Sequence, residues 1–384
     1  MKKYFLLIVL SVIGLAQGFS QGKNFTELQY HDNNGVPVVE VVIKDNTYRF
    51  MLDTGTGMSC VSDRLVNAEK LEYSQSQKSM QGLGYNLYVA TIPQMQIGNI
   101  ETSNVQGIVM SVDNVILSTL GVDGIIGADI LMNYVVTFNS LKKIIVLSDS
   151  ADEAISDWQT LKLWNNAPIF EVKLQGKDEL YDVPALFDSG NGTGALTLPS
   201  VEGFEQWSGA GIIANVIEGR GAVGSMVGGL AKYDKIYRGK LNDFHVGNVV
   251  FKNLPVMTGG VGYLQLCYKM TDLGQIIIDY PNKRYKFEPF ENGTVWPGDN
   301  RTVMTGLDNG KLRIAAVWGD KAQAEIEPGY IITAIGEKTL SDSVDSLPNI
   351  DELIRQYGAE NAVITVQDKL GSVKELPASL FLAQ

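Results

Sequence analysis

The sequence is poor in the residues that most often bind transition metals. Its 384 residues include only two cysteines, Cys60 and Cys267, and two histidines, His31 and His245. These four residues form no cluster with the spacing of metal ligands, so we predict no metal site and no cofactor. Two cysteines are also too few for a disulfide framework, and a chain of this size can form a core without one. We therefore predict two buried thiols.

Positive charge is also in short supply. The chain has 31 Lys and Arg residues against 43 Asp and Glu residues, which gives a formal net charge of -12. Such a surface repels phosphate backbones, so we predict no nucleic-acid partner. The hydrophobic content of 45% is ordinary for a globular protein, and the length allows two or three domains.

The N-terminus begins with Met1, two lysines and an apolar run from Tyr4 to about Ala16. This run is shorter than the roughly 20 residues that span a bilayer. Small residues at Ala16, Gly18 and Ser20 offer sites for signal peptidase. We predict a signal peptide over residues 1–20, a periplasmic or secreted protein, and no stable membrane anchor after cleavage. An uncleaved anchor is the alternative.

Two segments of the chain share one plan. "GVPVVEVVIKDNTYRFMLDTGTG" consists of a β-branched run, a turn at Lys44 to Asn46, and a second apolar run that ends in Asp53. "NAPIFEVKLQGKDELYDVPALFDSGNG" repeats this order, with its turn at Gly176 to Asp178 and its aspartate at Asp188. Short apolar runs separated by such turns predict β-hairpins.

The match continues downstream of both aspartates. "MQIGNIETSNVQGIVM" is answered by "FHVGNVVFKNLPVMTG", and "NYVVTFNSLKKIIVL" is answered by "GQIIIDYPNKRYKF". Four features in the same order indicate an internal duplication. We predict two mostly β lobes over residues 21–150 and 160–290.

An aspartate in an apolar run is costly unless it has a partner or a purpose. Asp53 and Asp188 are each followed by a hydroxyl residue and then a glycine. A single Asp-Thr/Ser-Gly occurs often by chance, but two copies at corresponding positions of a repeat are a much stronger signal. The alternative is that both aspartates only begin tight turns.

The two lobes resemble aspartic peptidases of the retropepsin-like and pepsin-like clan, in a bacterial exported form. Two Asp-Thr/Ser-Gly loops meet across a pseudo-two-fold axis in that clan. The resemblance covers about residues 30–290, and "DGIIGADIL" is similar to the apolar segment with a glycine that packs behind the catalytic loop. It implies a mostly β fold of two homologous, barrel-like lobes.

The resemblance implies an endopeptidase that hydrolyses peptide bonds with a water activated by Asp53 and Asp188. Two close carboxylates share one proton, so one can activate water while the other hydrogen-bonds the scissile carbonyl. The supporting residues of the loops would be Thr54, Gly55, Ser189 and Gly190.

Two departures from the family pattern affect the second lobe. The glycine that corresponds to Gly127 is replaced by Tyr268 or a neighbour, and Asn191 follows the second Asp-Ser-Gly. A catalytically inactive peptide-binding protein is therefore the alternative function. A site formed by Asp53 residues of two chains is the alternative assembly.

Glycine-rich segments lie where the resemblance places flaps, the hairpins that close over substrate. These segments are Met80 to Asn86, with Gly82 and Gly84, and Gly219 to Gly229, with Gly221 and Gly224. Repeated glycine supplies hinges and tight turns. Ordinary surface hairpins are the alternative.

Residues 300–384 resemble a bacterial PDZ domain of α+β type. The matching features are a short helix at Lys321 to Ala324, a turn at Pro328 and Gly329, and an amphipathic helix at Ile350 to Tyr357. The resemblance implies binding of an extended C-terminal peptide along a sheet edge. The alternative is that this domain only packs against the lobes.

Overall fold

The computed structural model describes residues 25–33, 35–76, 87–226, 229–260, 262–296, 301–308, 311–340, 354 and 362–381. The predicted signal peptide and the first glycine-rich segment, with Gly82 and Gly84, lie outside these residues. Of the predicted helix at 350–357, only Ile354 is described, and it is helical.

The described residues are mostly β, as predicted. The strands are β1 (Phe25–Gln29), β2 (His31–Asn33), β3 (Val36–Ile43), β4 (Asn46–Leu52), β5 (Cys60–Ser62), β6 (Tyr73–Gln75), β7 (Tyr88–Ile97), β8 (Ile100–Met110), β9 (Gly124–Ile126), β10 (Val135–Asn139), β11 (Ile144–Ser148), β12 (Gln159–Trp164), β13 (Ala167–Gln175), β14 (Leu180–Asp188), β15 (Leu196–Leu198), β16 (Ile213–Met226), β17 (Gly229–Val246), β18 (Val249–Thr258), β19 (Leu264–Cys267), β20 (Gly274–Asp279), β21 (Arg284–Pro289), β22 (Val303–Asp308), β23 (Lys311–Trp318), β24 (Ile331–Ile335), β25 (Lys338–Thr339), β26 (Val363–Gln367) and β27 (Val373–Pro377). The helices are α1 (Asp63–Glu69), α2 (Val115–Leu120), α3 (Ala128–Leu131), α4 (Val201–Gly209) and α5 (Asp320–Glu325), with short 3-10 helices at Tyr268–Asp272 and Ala378–Leu380.

The first aspartate segment forms a hairpin of β3 and β4. The β-branched run of β3 is almost wholly buried, and Lys44, in the left-handed conformation, turns the chain into β4. β4 becomes fully buried over its last three residues, so the chain enters Asp53 from the core. The turn predicted at Lys44 to Asn46 is confirmed.

The strands around Asp53 close into a ring. β4 lies between β3 and β9, β9 pairs with β5, β5 with β8, β8 with β7, and β7 returns to β3. The β4–β9 and β5–β8 pairs are parallel and the others are antiparallel. Six strands joined in this way form a small closed barrel with a side-chain core.

The strands around Asp188 close into a second ring with the same sequence of pairings. β14 lies between β13 and β19, β19 pairs with β15, β15 with β18, β18 with β17, and β17 returns to β13. The parallel pairs are again the one beside the aspartate strand, β14–β19, and the one opposite, β15–β18.

A third, wholly antiparallel sheet joins the two rings. Its order is β1, β11, β10, β20, β21 and β12, and the pairing of β10 with β20 links the two halves of the chain. One hydrophobic core runs through both rings and this sheet, with Phe138, Phe170, Phe187 and Tyr285 stacked or edge-on within it. The aspartate loops therefore stand on a common core.

The C-terminal region has a core of its own. β22, β23, β24, β26 and β27 pair in succession as antiparallel strands, and α5 packs on them. The helix predicted at Lys321 to Ala324 corresponds to α5. β23 also pairs with β16, which is the partner of β17, and Trp318 packs there against Val223, Ile236 and Met257.

Candidate active site

The structure brings Asp53 and Asp188 together. Asp53 directly follows β4 and Asp188 ends β14, the two strands that hold the same place in their rings. Their carboxyl groups share a side-chain hydrogen bond, and both residues are half-buried, so part of each remains accessible. Two acidic groups 135 residues apart thus form one pair, which only the fold can arrange.

Thr54 and Ser189 lock the two loops to each other with four hydrogen bonds. The Thr54 hydroxyl donates to the Phe187 carbonyl (2.7 Å) and accepts from the Ser189 N–H (3.0 Å). The Ser189 hydroxyl donates to the Leu52 carbonyl (2.8 Å) and accepts from the Thr54 N–H (2.9 Å). Both side chains are fully buried, so these bonds are shielded from water. The arrangement fixes the spacing of the aspartates.

Gly55 and Gly190 let each loop pass close to the opposite carboxyl group. A Cβ at Gly55 would lie 2.5 Å from Cγ of Asp188, and a Cβ at Gly190 would lie 2.5 Å from Cγ of Asp53. Their N–H groups also bind carboxylate oxygens: Gly55 donates to Asp53 (2.7 Å) and Gly190 to Asp188 (3.0 Å). Any other residue at these two positions would push the pair apart.

The two carboxyl groups differ in acidity. Burial raises the pKa of Asp53, while the N–H groups of Gly55, Thr56 and Gly190 and the hydrogen bond from Asp188 work against that rise. Burial raises the pKa of Asp188 well above its usual value, and the negative charge of Asp53 raises it further. Like charges this close cannot both form easily, so the two carboxyl groups hold one proton between them.

The Asp53 loop rests on a second buried acid that sequence reasoning did not identify. The Ser59 hydroxyl donates to Asp129 (2.8 Å) and accepts from the Gly127 N–H (3.0 Å). A Cβ at Gly127 would lie 2.7 Å from the backbone of Met58, so this segment packs directly behind the loop. Burial raises the pKa of Asp129. The quoted "DGIIGADIL" contains both Gly127 and Asp129, but only the fold places Ser59 beside them.

The Asp188 loop has a different neighbour, Gln265, which sequence reasoning also missed. Its amide nitrogen donates to Oδ2 of Asp188 (3.0 Å). Its amide oxygen accepts from Asn191 (2.7 Å) and from Thr197 (2.9 Å). A lone glutamine in the wholly buried strand β19 was the available signal, since a buried amide needs several partners. Asn191 was singled out as a departure, and its contacts belong to this network.

The glycine that corresponds to Gly127 is replaced in the second ring by Cys267. Gly127 directly follows Ile126, which pairs with the last residue of β4, and Cys267 directly follows Leu266, which pairs with the residue before Asp188. The replacement is thus the residue before Tyr268. Cys267 and Cys60 are both buried and unpaired, as predicted.

The first residues of the second glycine-rich segment, Gly219 to Gly221, pair with β23 of the C-terminal region. Gly221 lies in β16, pairs with Ala316 of β23, and has φ of +123°. A Cβ there would lie 2.2 Å from the Ala315 carbonyl oxygen. Gly224 lies further along β16. On the first ring, β6 and β7 pair as a hairpin whose connection falls outside the described residues.

The described part of the chain holds no group of three or more His, Cys, Asp or Glu side chains able to bind a metal ion. None of the helices resolved there is long and apolar enough to cross a bilayer.

Comparison with protein families gives a match to part of the chain. The family described as "gag-polyprotein putative aspartyl protease" matches residues 39–133, about a quarter of the chain. These residues contain Asp53, Thr54, Gly55 and Gly127. The match supports a retropepsin-like aspartic protease domain and hence a hydrolase that acts on peptide bonds. A comparison with curated proteins found no match.

Proposed function

We propose that the chain is an aspartic endopeptidase whose catalytic pair is Asp53 and Asp188. The observation that carries this proposal is the hydrogen-bonded carboxyl pair, held by the reciprocal bonds of Thr54 and Ser189. A pair that only began tight turns would need neither a shared proton nor glycines fitted to the opposite carboxyl group.

The different acidities of the pair support separate roles. Ionised Asp53 takes a proton from a water that attacks the scissile carbonyl carbon, while protonated Asp188 hydrogen-bonds the carbonyl oxygen. A proton moves next from the pair to the leaving nitrogen as the C–N bond breaks. The pair is half-buried. The protein core keeps bulk water away from its inner side, and its outer side remains accessible to a peptide.

We further propose that residues 21–150 and 160–290 are homologous lobes related by a pseudo-two-fold axis. The matching order of parallel and antiparallel pairings in the two rings supports this, as do the reciprocal Thr54 and Ser189 bonds. On this proposal both aspartates of a site come from one chain.

The test is cleavage of a mixed peptide library by the purified chain between pH 3 and 8. We expect internal cleavage with a bell-shaped pH profile, and its loss with a statine-containing peptide that mimics the transition state. The control is the D182N variant, which removes an exposed carboxylate that pairs with Lys173 near the start of β14. Tight binding of the statine peptide without cleavage of any peptide would favour the inactive peptide-binding alternative.

We propose that the C-terminal region is a PDZ-like domain over residues 300–384 that recruits a substrate or partner peptide. Its antiparallel strands, α5 and separate core support an independent module of this kind. Its pairing with β16 supports, in addition, a role close to the peptidase lobes. The test is fluorescence anisotropy with peptides that carry a free or an amidated C-terminus; equal affinity for both would contradict recognition of a chain end.

We propose, finally, that the protein is exported to the periplasm or beyond, because two lysines and a short apolar run precede small residues at its N-terminus. The N-terminal sequence of protein recovered from the producing cell checks this. We expect it to begin between Phe19 and Gly22. Recovery of an intact Met1 in the soluble fraction would contradict export.

A further inference from the structure

We infer that Gln265 is a positioning residue for the proposed peptidase reaction, which sets the protonation of Asp188 through a hydrogen bond that Asp53 does not receive. The inference rests on the proposed function and adds to it a contact that limits how far the pKa of Asp188 rises above that of Asp53.

The direction of the contact follows from a backbone group. The Thr193 N–H can only donate, and it binds the Asn191 side-chain oxygen (3.1 Å). The amide nitrogen of Asn191 therefore points the other way, to the side-chain oxygen of Gln265 (2.7 Å). The Gln265 oxygen is thereby used, and its amide nitrogen faces Oδ2 of Asp188. Exchanging O and N in either amide would set two donors or two acceptors face to face.

Gln265 is anchored tightly enough to act on one atom. Its side chain is 3% exposed, and Thr197 gives its oxygen a second donor (2.9 Å). Gly260, with φ of +79°, leaves room for this oxygen, since a Cβ there would lie 2.2 Å from it. An amide with both ends fixed loses little further freedom when it binds the carboxylate.

The matching position of the first ring carries no such group. Gln265 pairs with the residue two before Asp188, and Ile125 pairs with the residue two before Asp53. Ile125 has no donor, so the contact belongs to one aspartate alone. Two rings with the same pairings thus present unlike surroundings to their acids.

The amide acts on the charged form of Asp188. A donor aimed at Oδ2 stabilises the carboxylate, as the Gly190 N–H does at Oδ1. Among the described residues, the titratable groups close to the pair include Cys60, Cys267 and Tyr280. Burial raises the pKa of each thiol to about 12 and raises the pKa of Tyr280, so all three are neutral at working pH. The Gln265 amide thus acts in the same direction as the N–H groups of Gly190 and Asn191, which lower the pKa of Asp188 against the strong rise that burial and Asp53 produce.

The test is the Q265M variant, which keeps the length of the side chain and removes the amide. A hydrogen bond to a charged group shifts a pKa by about one to two units. The alkaline limb of the kcat/KM profile should therefore move to higher pH by about one to two units. The more drastic Q265E variant should shift the limb in the same direction. Q106M, at an exposed glutamine of β8, is the matched control and should leave the limb in place.

A second readout does not need activity. Carbon-13 NMR of aspartate labelled at Cγ, with D188N for assignment, follows the titration of Asp188 directly. We expect its pKa to rise in Q265M by the same amount as the kinetic limb. Folded Q265M and Q265E proteins in which neither the limb nor the titration moves would overturn the inference. Wild-type protein that titrates as expected but cleaves no peptide would instead overturn the proposed function.

Discussion

The ring around Asp53 and the ring around Asp188 have the same strand pairings but different interiors beside the acid. Next to Asp53 the layer is apolar, with Met51, Cys60 and Ile125 in one hydrophobic cluster. Next to Asp188 the corresponding residues include Thr197 and Gln265, which belong to a polar network. The two halves share their strand pairings and the reciprocal hydrogen bonds of Thr54 and Ser189, which hold the pair together. The second half alone adds a side-chain donor to its acid, the Gln265 amide that binds Asp188.

The outer segments of the two rings differ as well. The first ring connects β8 to β9 through α2, whereas the second connects β18 to β19 through residues 259–263 alone. Beside the second ring, β16 pairs with β17 and, along part of its length, with β23 of the C-terminal region. The hairpin of β16 and β17 is therefore held against the C-terminal region.

Replacing either aspartate by asparagine should have the largest effect and should show that the halves contribute equally. D53N removes the base and D188N removes the proton donor, so each should lower kcat by about 10² to 10⁴. Circular dichroism should show both variants folded. Near-normal activity in D188N alone would contradict equal contributions from the two halves, because the Asp53 loops of two chains would then supply the site.

Removing one hydroxyl from the reciprocal lock tests what the halves share. T54V keeps the shape of the side chain but leaves the Phe187 carbonyl and the Ser189 N–H without partners, at a cost of about 1–3 kcal/mol for each group. S189A should lose a similar amount through Leu52 and Thr54. Urea unfolding measures both, with T47V, at an exposed position of β4, as the control. A large loss in one variant only would show an asymmetric lock.

The contact between β16 and β23 can be broken at Gly221. G221A adds a Cβ that would lie 2.2 Å from the Ala315 carbonyl oxygen, at a φ that alanine rarely adopts. We expect a loss of roughly 1–3 kcal/mol in stability. The effect should appear first at the C-terminal region, as faster hydrogen exchange in β23. G209A, where nothing lies within 4 Å of the added Cβ, is the control. Unchanged exchange in β23 would show that the pairing contributes little.

The pH dependence of stability should expose the inequality of the acids. Because the pKa of Asp188 is raised in the folded protein, the folded state binds more protons than the unfolded state above about pH 3.8, the ordinary value. Stability should therefore fall as pH rises from there, by at most about 1.4 kcal/mol per pH unit for one proton. D188N should flatten this fall in thermal unfolding, while D182N should not. A wild-type curve that rises over the same range would contradict a raised pKa.

Local patterns were enough to predict the mostly β fold, the hairpin turn at Lys44 and the two buried cysteines. Alternating apolar runs and turn residues act over a few neighbours, so they can be recognised in sequence. The contact between Gln265 and Asp188 spans 77 residues and depends on which strand lies beside β14. The pairing of β16 with β23 likewise joins distant segments, and no short pattern specifies it. The predicted domain boundaries stay predictions.

The most direct test of the central claim is the number of sites per chain. Titration calorimetry with a tight statine-containing peptide should give one bound peptide per chain in the wild type, at any protein concentration. D53N and D188N should each bind far more weakly, because both acids contact the transition-state mimic. One peptide per two chains, with binding that weakens on dilution and survives in D188N, would contradict a site made of Asp53 and Asp188 from one chain.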